Sequence, residues 1–421
     1  MKTLKRDKVV LNLRESLREQ RGTLAGQYPH IVEDKIYYQM EDPKEIHYAK
    51  WNGEKYKKPL YNNIIKKSLA SHNFSVFIDT NPNIPEDERY KAVGGYHVGR
   101  AAQETPHELG LHQAMLYKEL IDCPISKDLE VVPFPDPVWP QFTRLIFNDD
   151  FHHPRHANGL YVFKSADGID WEVYHDKPIA SIFTECVESN KKMPPNMGVD
   201  NPDAFFAARH TFMSTKDVLA FDTFPSIFYD HNINEYVMYL RANLSLGVRH
   251  VMYTHSKDLI DWSIPTLIKT DPPFDMSHGN FYYMCAFPYP KGNKYIAFPA
   301  QFKNEIVSNV TSMSKLYDET EGNWMWGDTD GFLGAMDQGH HRKYWDAKTL
   351  VMISDDGINW KIIDEILPSD TGGHMTFPHV LSFREEDDDY ALYVHEDFMT
   401  NRNNFVRYTI DKEELDSYVT Q

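Results

Sequence analysis

The chain has few cysteines, and they are scattered. Its 421 residues include only Cys123, Cys186 and Cys285, with no Cys-x-x-Cys pair. Isolated thiols do not form the even framework of a disulfide-stabilised domain, so they indicate a reduced compartment with free thiols. The first 14 residues mix both charges and lack the apolar stretch of a signal peptide. We therefore expect a cytoplasmic protein.

Long apolar runs and basic runs are also missing. No stretch of about 18 apolar residues occurs, so no membrane span is expected. The 44 basic residues are outnumbered by 62 acidic ones, for a net charge of −18. Nucleic acids and anionic membranes require positive patches. The sequence therefore predicts neither partner, and it leaves the oligomeric state open.

Aromatic residues, in contrast, are plentiful. They make up 14% of the chain, with 25 Tyr, 24 Phe and 8 Trp. One interpretation is that they fill the core of a β-sheet protein, and the alternative is that some form stacking platforms for sugars. A chain of this length can bury a large core within one β-rich domain.

One short phrase occurs three times, at Ser165–Trp171, Ser256–Trp262 and Ser354–Trp360. Each copy follows an apolar run and places Ser, Asp and usually Gly before an Ile and a Trp. This pattern is typical of the turn of an antiparallel hairpin. The nearly even, long spacing of the copies indicates a radial repeat of sheets.

The strand pattern around the phrase predicts an all-β, five-bladed β-propeller. Four units begin with a buried inner strand near residues 74, 225, 284 and 376, whereas strands at 31–60 lack one. Pairing of the C-terminal strand with these N-terminal strands would close the ring and remove sheet edges. A four-bladed ring with an N-terminal sheet is the alternative.

The predicted domain organisation follows from this count. Residues 1–27 are expected to form a short N-terminal helical arm, residues 28–412 the propeller and residues 413–421 a tail. Two long insertions, at about 96–158 and 302–346, each fall between a second and a third strand. They should therefore stand on one face of the propeller and enclose a pocket.

Several stretches resemble the five-bladed β-propeller glycoside hydrolases, the arabinanase, xylosidase and fructosidase-like superfamily with its uncharacterised members. The similar stretches are Ala220–Asp230, Glu235–Arg241 with Arg249, Ser71–Phe74, Asp79–Pro82 and Glu88–Gly95. The resemblance covers roughly residues 30–410. It implies a glycoside hydrolase with a carbohydrate substrate, although such folds host many functions.

Glycoside hydrolysis usually requires two carboxylates that flank the scissile bond. Asp222 lies three residues before an inner strand, where it should face the pocket, and the resemblance places an essential acidic residue there. It is the predicted base or transition-state stabiliser. Asp79 and Asp230 follow their inner strands instead and are predicted to be turn residues.

The second carboxylate is where the chain departs from the family pattern. Arabinanase-like enzymes place a Glu near the start of the unit at 284, and here Ser277–Asn280 contains none. Glu305 and Glu396 are the predicted alternatives for the catalytic acid. Asp149 and Asp150 rank below them.

Histidines offer another general acid, because a His can transfer protons near neutral pH. The predicted substrate-binding residues lie mostly at inner-strand starts: His72, Asn73, Arg241, His278, His374 and His395. Arg241 and Arg249 could clamp a substrate or brace neighbouring blades. No His-x-His or His-Glu-x-x-His spacing occurs, so no cofactor is predicted, and a structural or pocket metal ion is the alternative.

These observations favour a glycoside hydrolase that removes a terminal sugar or cleaves a short oligosaccharide in a pocket on the propeller axis. Inversion is preferred from the resemblance alone. The missing Glu motivates one alternative, a non-catalytic glycan-binding propeller. A glycosyl transferase or phosphorylase on the same scaffold is another, and no Gly-rich or Arg-clustered phosphate loop supports it.

Overall fold

The structure is a computed structural model. It describes the following residues: 1–13, 25–40, 45–59, 64–67, 73–96, 129–133, 143–147, 159–175, 224–243, 249–263, 266–273, 280–302, 347–368, 378–396 and 403–419.

Five sheets of four or five strands form the blades. Blade 1 contains β2 (Ala25–Val32), β3 (Lys35–Met40), β4 (Glu45–Trp51) and β5 (Tyr56–Lys57), with β6 (Ile64–Lys67) also paired to β4. Blade 2 contains β7 (Ser75–Ile78), β8 (Tyr90–Tyr96), β11 (Gly159–Ser165) and β12 (Glu172–Val173), with a 3₁₀ turn at Glu86–Glu88. Blade 3 contains β13 (Ser226–Asp230), β14 (Glu235–Asn243), β15 (Arg249–Ser256) and β16 (Thr266–Leu267).

Blade 4 contains β18 (Asn280–Pro288), β19 (Tyr295–Phe302), β20 (Ala347–Ser354) and β21 (Asn359–Pro368), with β17 (Lys269–Asp271) added in parallel at its outer edge. Blade 5 contains β22 (His379–Glu385), β23 (Asp389–Glu396), β24 (Asn404–Asp411) and β1 (Lys5–Asn12). A separate two-stranded sheet pairs β9 (Leu129–Pro133) with β10 (Thr143–Phe147).

The five inner strands form a closed ring. Each of β2, β7, β13, β18 and β22 contacts the next in that order, and β22 contacts β2. Apolar side chains fill the spaces between neighbouring blades, for example Phe298 and Leu392 between blades 4 and 5. The prediction of an all-β, five-bladed propeller is confirmed.

The ring closes differently from the prediction. The last blade is shared between the two ends of the chain, but its outermost strand is β1 rather than a strand from 31–60. The prediction of an N-terminal helical arm is therefore wrong for residues 5–12, which form strand β1. Residues 31–60 belong to a complete blade, whose inner strand β2 carries a Pro, a Gly and irregular pairing.

The C-terminal residues form helix α1 (Lys412–Val419), where a tail was predicted. Leu415 and Val419 bury themselves among the side chains between blades 4 and 5. The Asp416 carboxylate accepts hydrogen bonds from the hydroxyls of Tyr289 (2.5 Å) and Tyr390 (2.9 Å). Among the helices in the described residues, none is long and apolar enough to cross a membrane.

The three copies of the phrase form the same turn, which confirms the predicted hairpins. In the first copy, Ser165 Oγ accepts the Gly168 N–H (2.9 Å), and Asp167 Oδ1 accepts the Ile169 N–H (2.8 Å). The Trp171 indole N–H donates to the Gly168 carbonyl (3.2 Å). Burial opposes ionisation of the Asp167 carboxyl, but these backbone donors outweigh it and lower its pKa.

A second repeated contact joins neighbouring blades beside these turns. The tyrosine at the start of a second strand donates its hydroxyl to a carboxylate from the preceding blade or, in the last case, from α1. The pairs are Tyr90 with Glu33, Tyr236 with Asp79 (2.9 Å), Tyr295 with Asp230 (2.6 Å) and Tyr390 with Asp416 (2.9 Å). We call this side of the propeller, where inner strands end, the turn end.

Candidate functional site

The opposite side of the propeller, where the inner strands begin, is the mouth end. Both predicted insertions start and finish there, because Tyr96 pairs with Gly159 and Phe302 pairs with Ala347 at that end of their blades. The prediction that both insertions leave from one face is thus confirmed for the strands that flank them. Apart from β9 and β10, the insertions lie outside the described residues.

Aromatic side chains from four blades meet at the mouth end. The Tyr28 ring stacks on Phe224 with centroids 5.9 Å apart and on His379 at 6.4 Å. His379 also stacks on Tyr282, with centroids 5.9 Å apart. Tyr28, Phe224, Tyr282 and His379 are all buried. We call these four residues the mouth ring. Phe224 and His379 stand just before or at the start of their inner strands, and Tyr28 and Tyr282 lie within the first four residues of theirs.

The remaining blade, blade 2, contributes Asn73, which was predicted to bind substrate. Its backbone has a positive φ of 57°, a conformation in which Asn is enriched, and its side chain is buried. The Asn73 N–H donates to Gln39 Oε1 (2.7 Å) in blade 1, and Gln39 Nε2 donates to Gln27 Oε1 (3.3 Å). Within the described residues, the Oδ1 and Nδ2 atoms of Asn73 have no hydrogen-bond partner.

His30 connects blades 1 and 2 below the ring. Its Nε2 accepts the Val76 N–H (3.0 Å), so Nδ1 carries the proton and donates to the Tyr28 carbonyl (3.0 Å). Full burial lowers the pKa of His30 to about 4, against a smaller opposing effect of that carbonyl. This histidine is therefore neutral at pH 7.

His395, another predicted substrate-binding residue, is fully buried beside the ring. Its Nε2 lies 2.5 Å from Asn403 Oδ1, and its ring lies 5.9 Å from that of His379. Burial lowers the pKa of His395 to about 4, although Asn403 opposes the shift. Burial and the nearby His395 also lower the pKa of His379. Both are neutral at pH 7, which suits structural hydrogen bonds better than proton donation.

Arg241 serves as a brace between blades 3 and 4. Its guanidinium lies 4.9 Å from the centre of the Tyr282 ring, and Nη1 lies 3.5 Å from the Tyr282 carbonyl oxygen. Of the two roles expected for this arginine, the structure shows the brace. It holds one member of the mouth ring in place through a cation–π contact.

The candidate carboxylates divide between the two ends. Glu396 accepts hydrogen bonds from Arg6 Nε (3.0 Å) on β1 and from the Tyr408 hydroxyl, which direct its carboxylate toward the outer strands of blade 5. Asp79 and Asp230 lie at the turn end and bond the backbone N–H groups of Asn81 and Asn232, as predicted for turn residues.

The remaining predicted site residues lie outside the described residues: Asp222, Glu305, His72, His278, His374, Asp149 and Asp150. Only the backbone of Arg249 is described.

The sequence reasoning missed a buried contact between a histidine and a glutamate near the mouth end of blade 1. His47 Nε2 lies 2.9 Å from Glu45 Oε2, and both side chains are almost fully buried. Residues two apart on a strand share a face, so the Glu-Ile-His spacing was the available signal. It also missed Gln27 and Gln39, because contacts between blades leave no local pattern.

The described portion of the chain offers no ready metal site. No cluster of three or more His, Cys, Asp or Glu side chains that could hold a metal ion occurs there. The Cys285 thiol is buried, and burial raises its pKa.

The four described residues of the mouth ring include no carboxylate. It can stack against a ligand and form neutral hydrogen bonds, so acid or base groups must come from other segments.

The chain was compared with known proteins. No family model and no curated protein matches it. A protein of unknown function from Dyadobacter fermentans shares 10% identity at a TM-score of 0.42, over 98% of this chain and 84% of that one. The GH43_1 enzyme from Xanthomonas citri, complexed with xylose, shares 7% identity at a TM-score of 0.41, over 91% of this chain and 86% of that one.

The GH93 α-L-arabinofuranosidase of Fusarium graminearum, with arabinobiose, shares 10% identity at a TM-score of 0.40, over 96% of this chain and 86% of that one. Two of these three structures are of GH-family enzymes, the broad class that the sequence resembles. At this level of identity the likeness says nothing about activity.

Proposed function

We propose that the protein is a glycoside hydrolase that cleaves a terminal sugar or a short oligosaccharide at the mouth end of the propeller. One observation carries the proposal: all five blades bring uncharged stacking or hydrogen-bonding groups to that end, including the unpartnered Asn73 amide. Sugar sites combine aromatic faces with a few placed polar groups. The net charge of −18 also favours a neutral ligand over an anionic one.

The catalytic base in this proposal is Asp222. It precedes Phe224 by two residues, and two residues of chain span at most about 7 Å. Phe224 stacks on Tyr28 in the mouth ring, and this closeness in sequence to a ring residue supports Asp222 as the base. Glu305 follows Phe302, at the mouth end of β19, by three residues and is proposed as the acid. Glu396 is not proposed as the acid, because Arg6 and Tyr408 bind its carboxylate.

A second candidate is a non-catalytic glycan-binding protein. One observation favours it: the four described residues of the mouth ring include no carboxylate, and their one histidine, His379, is neutral because burial lowers its pKa. Stacking and amide hydrogen bonds are sufficient for binding without turnover.

Turnover of aryl glycosides and oligosaccharides separates the two candidates. The panel includes arabinofuranosides, xylosides and fructosides, the classes suggested by the similar structures. We expect at least one to be cleaved, and Asp222→Asn to reduce kcat by about 10²–10⁴-fold, the usual contribution of a positioned acid or base. Glu396→Gln serves as the matched carboxylate control and should retain kcat.

Two results would change the assignment. Binding of a sugar without cleavage of any panel substrate would favour the glycan-binding candidate. Cleavage that survives Asp222→Asn would reject the assigned base.

A further inference from the structure

We infer that the Asn73 side-chain amide binds hydroxyl groups of the ligand, and that Gln39 of the neighbouring blade is the positioning residue that holds Asn73 ready for it. This inference rests on the proposed function and adds a specificity-determining residue together with its support.

The first step concerns the state of the amide. Asn73 is 1% exposed, yet neither Oδ1 nor Nδ2 has a hydrogen-bond partner in the part of the chain that the structure describes. Buried polar groups are almost always paired, because an unpaired one forfeits its hydrogen bonds to water. Such an exception at the start of an inner strand, beside the mouth ring, is explained by a ligand that supplies the missing partners.

The second step concerns how the amide is held. Asn73 has φ of 57°, and its N–H is taken up by Gln39 Oε1 at 2.7 Å. Gln27 Oε1 in turn accepts from Gln39 Nε2 at 3.3 Å, which fixes the orientation of the Gln39 amide. Unusual backbone conformations persist where surrounding contacts enforce them, often at ligand sites. Gln27 and Gln39 thus hold Asn73 from across the boundary between blades.

The third step concerns the ligand. A side-chain amide presents one acceptor and one donor group, so it can accept from one hydroxyl and donate to another. Neighbouring sugar hydroxyls offer this combination, whereas phosphate and carboxylate groups offer acceptors only. The chemistry therefore fits a neutral, hydroxyl-rich ligand.

The test measures sugar binding by calorimetry, with arabinobiose, xylose and fructose as probes, in wild type and variants. Asn73→Gly tolerates the positive φ and removes both amide groups. We expect at least about tenfold weaker binding with no loss of thermal stability, because the variant also removes a buried unpaired group. Asn73→Asp, which keeps the shape and removes the donor, is the second variant in case Asn73→Gly folds poorly.

Asn234→Gly is the matched control. Asn234 has the same φ of 57° but is exposed at the turn end, so its replacement should leave binding unchanged. For the positioning role, Gln39→Met removes the acceptor at similar length. It should weaken binding several-fold in wild type and have no further effect in the Asn73→Gly background.

The outcomes are distinct. If Asn73→Gly and Asn73→Asp bind the sugar as wild type does, the inference is overturned and the proposed function stands. If the losses from Gln39→Met and Asn73→Gly add fully, Gln39 does not act through Asn73. If wild type binds and cleaves no sugar, both proposals fall.

Discussion

The two ends of the propeller solve the burial of polar groups in opposite ways. At the turn end, carboxylates are neutralised by specific donors, as where Asp79 meets Tyr236 and the buried Lys91. At the mouth end, the buried groups include uncharged amides and histidines whose pKa values burial has lowered, beside the partnered Glu45 and Arg241. Among the described residues, the Asn73 side-chain amide there has no hydrogen-bond partner.

This difference indicates a division of labour. Complete pairing maximises stability, because a buried group without a partner is costly. In the described residues, the buried carboxylates Asp79 and Asp230 at the turn end have hydrogen-bond donors, whereas the Asn73 amide at the mouth end has none. We take this difference as support for a ligand at the mouth end. The repeated phrase and the tyrosine–carboxylate contacts therefore serve the scaffold in this account, and the mouth ring with Asn73 is the surface that we propose binds the ligand.

The largest expected effect comes from removing a charge at the turn end. Lys91 Nζ lies 3.4 Å from Asp79 Oδ2, and both side chains are fully buried. Asp79→Asn keeps an acceptor for Tyr236 but removes the nearer and fully buried of the two carboxylates beside Lys91, since Glu88 Oε2 lies 3.6 Å from Nζ. Breaking such a pair costs about 3–5 kcal/mol, which urea denaturation should detect. Asp79→Asn combined with Lys91→Met should recover much of this loss; a single-variant cost below about 1 kcal/mol would show that the pair is unimportant.

The next effect concerns pH and the mouth end. The folded pKa of His30 is about 4, whereas an unfolded histidine titrates near 6.5, so only the unfolded state takes up the proton between these values. Stability is thus unaffected above about pH 6.5 and falls by roughly 3 kcal/mol as pH drops to about 4. His30→Gln, which can still accept the Val76 N–H, should lose this part of the pH dependence.

Unfolding free energies measured between pH 4 and 7.5 check this expectation. His231→Gln is the control, because His231 is exposed at the turn end and bonds Thr80. An identical pH dependence in wild type and His30→Gln would contradict the assignment of a neutral buried His30.

A smaller effect is expected from single tyrosine hydroxyls at the turn end. Tyr236→Phe and Tyr295→Phe each remove a hydrogen bond to a carboxylate, worth about 1.5–3 kcal/mol. The two losses should be similar, because the contacts repeat between successive blades. Tyr229→Phe is the control, since its hydroxyl makes no hydrogen bond within the described part of the chain; sugar binding should be unchanged in all three. Losses no larger than that of Tyr229→Phe would contradict a stabilising role for these contacts.

Much of the turn end was predictable from sequence. The Ser-x-Asp phrase is local, and the side-chain hydrogen bonds made within it join residues at most five apart. Local geometry of this kind is read directly from residue order. The alternating apolar runs likewise located four inner strands and the common face of the two insertions.

The elements that were missed lack local signals. β1 is an edge strand whose residues 5–9 are exposed, so it shows no alternation of apolar and polar residues. β2 contains Gly26, Pro29 and a Tyr28 with positive φ, which break the strand pattern. The Gln39–Asn73 bond joins two blades, and no sequence period predicts it. The candidate site was therefore only partly foreseen, through Asn73.

The central claim is that the mouth end binds the ligand and the turn end does not. Hydrogen–deuterium exchange with and without a bound sugar tests it most directly. We predict added protection in peptides spanning residues 25–40, 73–78 and 378–396, and none in the turns at 165–171, 256–262 and 354–360. Protection confined to those turns would contradict the claim.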